Sequence, residues 1–418
     1  MFLENEREKM NYKKIEKYLL CFFAASIFTS KPAIYISSAL MIVFFIGRCI
    51  FDREYYHVVK RDVVLWGPIA VFLFGVFAKI ISPGSLADVG HFVYKGLFFL
   101  VFPALVISLR EKTNRRLAFS ISMSGFLLSI LWSFVQAFVL LPHSWSGERF
   151  GGFWDIGRWA EITTFVFAFM LPKLSDDMTA SKKVAIGLFL FVTFLSLIIS
   201  GGRAGWIAAS FSLVVYMAFM NRKMLYFFTP VACVLIFSLY LAMPSQFNAV
   251  AGRATSVTET TSKDYSNFSR IIMWGNGVSL LHENLSHYPR KFLFGIGFNK
   301  FQTEYSAYLN KISNTEDLIK LTQGNYSLND LHNSYLDSAN KMGFLYTLFF
   351  YGSLIFIVYL FYKKGSLIKG CILIAPFLIL GVFYTNYLEF QTYIFFFVVA
   401  LAYSEVEQYN VDNHKVRV

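Results

Sequence analysis

Two arginines stand at the start of apolar or amphipathic segments, where a guanidinium could hold an anion. Arg203 follows a serine and two glycines and is itself followed by Ala204 and Gly205, while Arg270 opens a segment with helical spacing. A guanidinium pairs bidentately with phosphate, and a helix N-terminus attracts the same charge. Both residues therefore fit a phosphate site. The alternatives are an arginine that reaches for the membrane interface at Arg203, and a surface charge on a loop helix at Arg270.

A histidine flanked by two carboxylates is the candidate for proton transfer. His332 lies between Asp330 and Asp337, just before an apolar segment. The pKa of an unperturbed imidazole lies near working pH, so His332 could act as a general base, with the acids orienting it. No histidine lies three or four residues away and the chain has no HExxH motif, so we predict no metal site. The alternative is a loop histidine without a catalytic role.

A third group of candidates occupies residues 149–161. Arg149 and Arg158 bracket a stretch rich in glycine and aromatic residues, and Glu161 follows within an apolar segment. Aromatic rings could stack on sugars while the arginines hold phosphates; the alternative is an aromatic belt at the membrane interface. Glu161 is predicted either to pair with Arg158 or to be a buried acid in its own right.

The composition shows what kind of elements must position these residues. Of 418 residues, 56% are hydrophobic, 19% are aromatic and only 15% are charged, against roughly 25% charged in soluble domains. This excludes a soluble cytosolic enzyme, a disordered chain and a disulfide-stabilised secreted domain. The four cysteines lie inside apolar runs without a CxxC pair, so neither zinc nor redox chemistry is predicted.

Apolar runs long enough to cross a bilayer predict an all-α integral membrane protein with about twelve spans. With the N-terminus in the cytoplasm, the cytoplasmic segments hold 23 Lys and Arg residues and the short outer loops hold four. This asymmetry predicts that both termini are cytoplasmic and that the basic net charge reflects topology, not nucleic-acid binding. The predicted spans are residues 18–30, 32–51, 63–81, 91–108, 117–141, 159–172, 184–200, 204–220, 224–242, 343–362, 366–383 and 387–404.

One loop on the predicted outer side is far longer than the others. It divides the chain into an N-terminal membrane region of about nine spans (1–242), a mainly helical outer domain (243–342), and a C-terminal region of three spans with a cytoplasmic tail (343–418). Apolar spacing over Asn267–Glu283 predicts an amphipathic helix that Tyr288 and Pro289 end. The Gly295 and Gly297 pair predicts a turn where backbones pass closely.

Taken together, these segments resemble the O-antigen ligases of Gram-negative bacteria, within the O-antigen ligase and polymerase superfamily. The resemblance rests on motifs in the family's order. They are Ser200-Gly201-Gly202-Arg203-Ala204-Gly205; Ser269-Arg270 with Trp274 and Gly295-Ile296-Gly297; Leu331-His332-Asn333-Ser334-Tyr335-Leu336 with Gly343; and Arg149-Phe150-Gly151-Gly152.

The resemblance implies a glycosyltransferase C-like membrane fold of the bacterial inner membrane, with the active site facing the periplasm. It implies transfer of O-antigen polysaccharide from undecaprenyl pyrophosphate to a sugar hydroxyl of lipid A-core in lipopolysaccharide biosynthesis, with inversion and without metal, ATP or other cofactor. Arg203 and Arg270 would hold the pyrophosphate, and His332 would act on the acceptor hydroxyl.

Two other functions remain open at this stage. An O-antigen polymerase of the same superfamily often has two large periplasmic loops, whereas this chain has one. A flippase or transporter for a lipid-linked glycan would not need a folded outer domain with a base. The chain has no Walker A motif and no outer DxD cluster for a metal-bound sugar nucleotide, so a lipid-linked donor is the expected substrate.

Overall fold

A computed structural model describes residues 2–416, apart from residues 225, 227–233, 235–236, 238–239, 242 and 257–263. Every regular element in these described ranges is helical, as predicted for an all-α protein. A short 3-10 helix spans Leu171–Ser175. The α-helices are α1 (Phe2–Ser26), α2 (Lys31–Phe51), α3 (Arg53–Arg61), α4 (Val63–Ile81), α5 (Leu86–Gly96), α6 (Phe98–Arg110), α7 (Lys112–Phe138), α8 (Ile156–Met170), α9 (Ala180–Ser200), α10 (Arg203–Phe219), α11 (Pro244–Thr255), α12 (Tyr265–His287), α13 (Pro289–Phe294), α14 (Phe298–Ile312), α15 (Thr315–Leu321), α16 (Ser334–Lys341), α17 (Phe344–Lys363), α18 (Leu367–Phe383) and α19 (Phe390–Val416).

Most of the predicted spans fall on these helices, with some changes of boundary. The fourth span, 91–108, is divided at Leu97 between α5 and α6. The first lies in a longer helix that begins at Phe2 and ends at Ser26. The ninth, 224–242, lies largely outside the described residues. Among the described residues, six helical stretches are long and apolar enough to cross a membrane, and α5 and α6 together (Leu86–Arg110) count as one of them. The total of twelve therefore stays a prediction.

Two helices form the centre of the bundle. In α8, every residue from Trp159 to Met170 is buried, and in α19 so is every residue from Phe390 to Leu401. Both runs are predominantly apolar, and helices of that kind belong in a protein core or a membrane. These two helices pack against each other, and α6, α10 and α18 pack around them. Their polar ends are consequently held at fixed positions.

Residues 243–342 contain helices α11 to α16 and a second hydrophobic cluster. Its buried members are Met273, Leu280, Ile296, Phe301, Tyr305, Tyr308, Leu309, Tyr326 and Leu331. The predicted helix over 267–283 is confirmed, as part of α12. The carboxylate of Asp264 caps this helix by accepting from the backbone N–H groups of Ser266 and Asn267. It ends at Tyr288, as predicted.

The turn at Gly295 joins the 243–342 region to the end of α4. Gly295 has φ +79°, and a Cβ there would lie 2.3 Å from the carbonyl oxygen of Lys341. The Lys79 ammonium donates to the carbonyl oxygens of Phe294 at 3.1 Å and Lys341 at 2.6 Å. The Ser82 hydroxyl donates to the Gly295 carbonyl at 2.8 Å. The predicted close passage of backbones is confirmed.

Candidate functional site

The junction between α9 and α10 places Arg203 at the first position of a helix. Gly201 ends α9 in the left-handed conformation (φ +62°), which glycine adopts without steric cost. A Cβ on Gly202 would lie 2.3 Å from the Cβ of Ala160, so this turn packs directly on α8. The first N–H groups of α10 have no partner within that helix, and they add partial positive charge around Arg203.

Arg203 holds together two segments of the 243–342 region. Its guanidinium donates to the Ser256 hydroxyl at 2.6 Å, the Ser256 carbonyl at 3.1 Å and the Asn267 side-chain oxygen at 3.0 Å, and it forms an ion pair with Asp264. Burial raises the pKa of Asp264, but the ion pair with Arg203 and the cap of α12 outweigh burial and hold it below its usual range. The predicted helix-start arginine is thus partly neutralised.

Two further arginines converge on the same glycine turn. The Nε of Arg149 donates to the Ser200 carbonyl at 3.0 Å. Arg253 of α11 donates to the Gly201 carbonyl at 3.3 Å. Burial lowers the pKa of Arg253, and the positive charges of Arg149 and Arg203 lower it further. Sequence reasoning missed Arg253, because nothing in its local sequence distinguishes it from a surface arginine.

Arg270 has the least compensated charge of this group. Its guanidinium lies 5.8 Å from the ring centroid of Tyr384, and within the described part of the chain it has no hydrogen bond or ion pair. Burial lowers the pKa of Arg270, and the charge of Arg203 adds to this, against the opposing effect of Tyr384. A guanidinium stays charged in proteins, so a half-buried one without a hydrogen bond or ion pair favours binding of an anion.

These four arginines line one cleft, and none of the described residues lining it is a carboxylate. The lining residues are Arg149, Gly201, Arg203, Ala204, Ile207, Arg253, Ser266, Asn267, Arg270, Phe383 and Tyr384. The ion pair with Asp264 neutralises one of the four charges. The cleft therefore carries excess positive charge at a helix N-terminus, an arrangement suited to a phosphate group with several negative charges.

His332 occupies a strained turn beside this cleft. Its φ is +47°, in the left-handed region, and its backbone N–H donates to Asp330 Oδ1 at 2.7 Å. Its Nδ1 lies 3.8 Å from Asp330 Oδ2. Burial lowers the pKa of His332; Asp330 opposes this, and the positive charges of Arg270, Arg158 and Lys341 lower it further. This lowered pKa favours the neutral imidazole, the form that can accept a proton.

Asp337, the other predicted flanking acid, contacts the backbone that precedes His332. It is buried, and it accepts from the Lys341 ammonium at 2.8 Å, the Tyr387 hydroxyl at 3.1 Å and the backbone N–H of Leu331 at 3.3 Å. Burial raises its pKa to about 6, against the opposing charge of Lys341. With its oxygens already bonded, Asp337 is placed to hold the backbone before His332.

Arg158 and Glu161 form a pair inside the bundle, one of the two predicted alternatives. Arg158 donates to Glu161 Oε1 at 3.2 Å and to the Thr385 carbonyl at 3.1 Å. The Gln391 amide donates to both Glu161 oxygens at 3.3 Å. Neither Arg158 nor Glu161 lines the arginine cleft. They connect α8 with the segment that precedes α19.

That segment, residues 384–389, is the main part of the site that sequence reasoning missed. Tyr384 lines the arginine cleft, Thr385 contacts Asp330, and Tyr387 contacts Asp337. A signal was present, since Thr385, Asn386 and Glu389 interrupt two apolar segments. Short polar loops between spans are common, however, and nothing local connects this one to residues 50 positions earlier.

The described residues include no group of three or more His, Cys, Asp or Glu side chains close enough to hold a metal ion. The strongest concentration of charge in the site is the arginine cleft, which suits an anion.

Comparison with known proteins gives one family. The model of the O-antigen ligase family matches residues 188–351. No curated protein matches the chain significantly. The matched range contains Arg203, Arg253, Arg270 and His332, whereas Arg149, Arg158, Glu161 and the 384–389 segment lie outside it.

Proposed function

The chain belongs to the O-antigen ligase/polymerase superfamily, and we propose that it is an O-antigen ligase. It transfers O-antigen polysaccharide from undecaprenyl pyrophosphate to a sugar hydroxyl of lipid A-core, at the periplasmic face of the inner membrane. The observation that carries this proposal is the cleft of four arginines, in which Arg270 makes no ion pair among the described residues. A pyrophosphate linkage carries several negative charges. It is both the group that the arginines would bind and the leaving group of the reaction.

The proposed reaction is a single displacement. The acceptor hydroxyl oxygen attacks the anomeric carbon, and the bond from that carbon to the pyrophosphate oxygen breaks. The pyrophosphate leaves with the bonding electron pair, and Arg203 and Arg270 stabilise the charge that develops on it. His332 takes the hydroxyl proton. Asp330 faces Nδ1 and favours the proton there, which leaves Nε2 as the base.

The first prediction concerns Arg270. Arg270→Ala should lower kcat/KM on the order of a hundredfold or more, because it removes a charged donor to the leaving group. Arg270→Lys should rescue poorly, since a single ammonium cannot reproduce the planar fork of a guanidinium. The measurement is transfer by purified protein from a synthetic lipid-linked polysaccharide to lipid A-core, followed on gels.

Arg290→Ala is the matched control. Arg290 is exposed in the same region, donates to the Ile81 carbonyl and does not line the cleft, so its loss should be mild. Equal activity of Arg270→Ala and Arg290→Ala would contradict the assignment of the cleft.

The same assay separates the polymerase alternative. A ligase joins polymer to lipid A-core and leaves donor chain length unchanged, whereas a polymerase lengthens the donor without any acceptor. Growth of the lipid-linked polymer in the absence of lipid A-core would assign the chain to polymerase.

A further inference from the structure

Thr385 connects the His332 turn to the centre of the bundle. It lies between α18 and α19, and its hydroxyl donates to Asp330 Oδ1. Its carbonyl accepts from Arg158 of α8 at 3.1 Å. The hydroxyl of Thr385 therefore contacts the His332 turn, and its carbonyl contacts the buried helix α8.

The turn depends on the oxygen that Thr385 holds. Asp330 Oδ1 also accepts the backbone N–H of His332, at 2.7 Å. The left-handed backbone of His332, with φ +47°, is unfavourable for a residue with a Cβ and persists only where its surroundings impose it. Releasing Asp330 would therefore let the backbone relax and carry the imidazole away from its position.

The neighbouring residue ties the same segment to the arginine cleft. Tyr384 lines that cleft, and its ring lies 5.8 Å from the Arg270 guanidinium. Two consecutive residues therefore contact the proposed leaving-group site and the support of the proposed base. The segment would therefore fix the distance between the arginine cleft and His332.

We propose that Thr385 is a positioning residue, whose hydroxyl holds Asp330 and thereby fixes His332 relative to the arginine cleft. This inference rests on the proposed function. Thr385 lies outside the matched range of the chain, and neither its local sequence nor the family match assigns it a role.

The first test compares Thr385→Val, which has nearly the same shape without the hydroxyl, with Thr385→Ser, which keeps it. Thr385→Val should lower kcat on the order of tenfold to a hundredfold, as expected when a reacting group is displaced by about 1 Å. KM for the lipid-linked donor should change less than about twofold, because the arginines are untouched. Thr385→Ser should restore most of the rate.

The matched control is Thr322→Val. The Thr322 hydroxyl is buried but donates only to carbonyls of its own helix, those of Leu318 and Ile319. It should leave kcat near the wild-type value.

A second test reads His332 without any transfer reaction. Diethyl pyrocarbonate modifies the neutral imidazole, so the extent of modification of His332 against pH, measured by mass spectrometry, gives its titration midpoint. The charged groups acting on this imidazole are Asp330, Arg270, Arg158 and Lys341. Without the Thr385 hydroxyl, the turn relaxes and the imidazole becomes less buried. Since burial is the largest cause of its lowered pKa, Thr385→Val should move the midpoint to higher pH.

Asp330→Asn provides a variant with the opposite sign. Its side-chain oxygen can still accept from Thr385 and from the His332 N–H, but the negative charge is gone. The midpoint should therefore move to lower pH. If Thr385→Val does not accumulate in the membrane, Asp330→Asn and Thr385→Ser carry the test.

Several results would overturn the proposal. They are an unchanged kcat and an unchanged midpoint in Thr385→Val, equal damage in Thr385→Ser, or an unchanged midpoint in Asp330→Asn. Failure of the proposed function looks different. In that case the wild type would transfer no polysaccharide in any assay, while the modification of His332 would still respond to Thr385.

Discussion

His332 is the residue through which acidity should control the reaction. Burial lowers its pKa below the ordinary value for histidine, and the proposed base is the neutral form. The fraction of neutral imidazole rises as pH rises through this pKa, so kcat/KM should be lost as pH falls through it and be level above. The acid limb should have its midpoint below the ordinary pKa of histidine, as measured with purified protein over the acidic to neutral range.

The corresponding substitution is His332→Ala. It should lower kcat by roughly a hundredfold to ten-thousandfold and abolish the acid limb, since general base catalysis contributes about that much. His282→Ala and His287→Ala are the controls, because both side chains are exposed on α12, within the same 243–342 region. A full rate in His332→Ala would move the role to another group, and failure to accumulate would make the histidine structural.

Individual site residues can be identified from the sequence where their neighbours in the chain define their setting. Arg203 follows two glycines at a helix start, and His332 lies among acids before an apolar segment. Arg253 and Thr385 could not be found this way. They reach the site across about 50 residues from their partners Gly201 and Asp330, and no local pattern encodes such a contact.

The contact between the Gly295 turn and the end of α4 leads to a prediction about stability. Gly295→Ala should lower the thermal unfolding midpoint, because φ +79° with ψ 163° belongs to a region essentially limited to glycine and costs about 1–3 kcal/mol otherwise. The added Cβ would also lie 2.3 Å from the Lys341 oxygen. The midpoint can be measured by fluorescence-detected size exclusion of heated samples.

Gly275→Ala is the matched control within α12. A Cβ at Gly275 meets no atom within 4 Å, and alanine is the better helix former, by about 0.5–1 kcal/mol. This control should keep or raise the midpoint. A Gly295→Ala protein as stable as Gly275→Ala would show that the turn tolerates a side chain.

Helices were predictable here wherever apolar spacing is strong and a glycine, proline or capping residue ends the run, as over 267–283. The break between α5 and α6 at Leu97 was not predictable, because apolar residues continue on both sides of it. Their spacing does not show where a helix is interrupted. The start of α5 did have a local signal, because Ser85 and Asp88 form a capping box there.

At the scale of the whole molecule, loops assigned to the same side by charge meet in space. Arg110 pairs with Asp62 and Glu407, and Lys173 pairs with Glu405 at 2.6 Å; all five lie at predicted cytoplasmic ends. Arg203 lies at the other end of the 17-residue helix α10 from Phe219, about 25 Å away. The helices therefore separate the two sets of loops.

The direction of this separation in the membrane is the last prediction. The excess of Lys and Arg at the Arg110 end places that end in the cytoplasm, and the arginine cleft at the periplasmic face. The test uses a protein whose four cysteines, Cys21, Cys49, Cys233 and Cys371, are replaced by serine, into which single cysteines are introduced. In cells with a permeabilised outer membrane, an impermeant thiol reagent should label Lys320→Cys, an exposed site on α15. It should label Lys415→Cys only after the inner membrane is opened. The reverse pattern would place the arginine cleft in the cytoplasm, where a lipid-linked donor exported to the periplasm could not reach it, and the proposed function would fail with the topology.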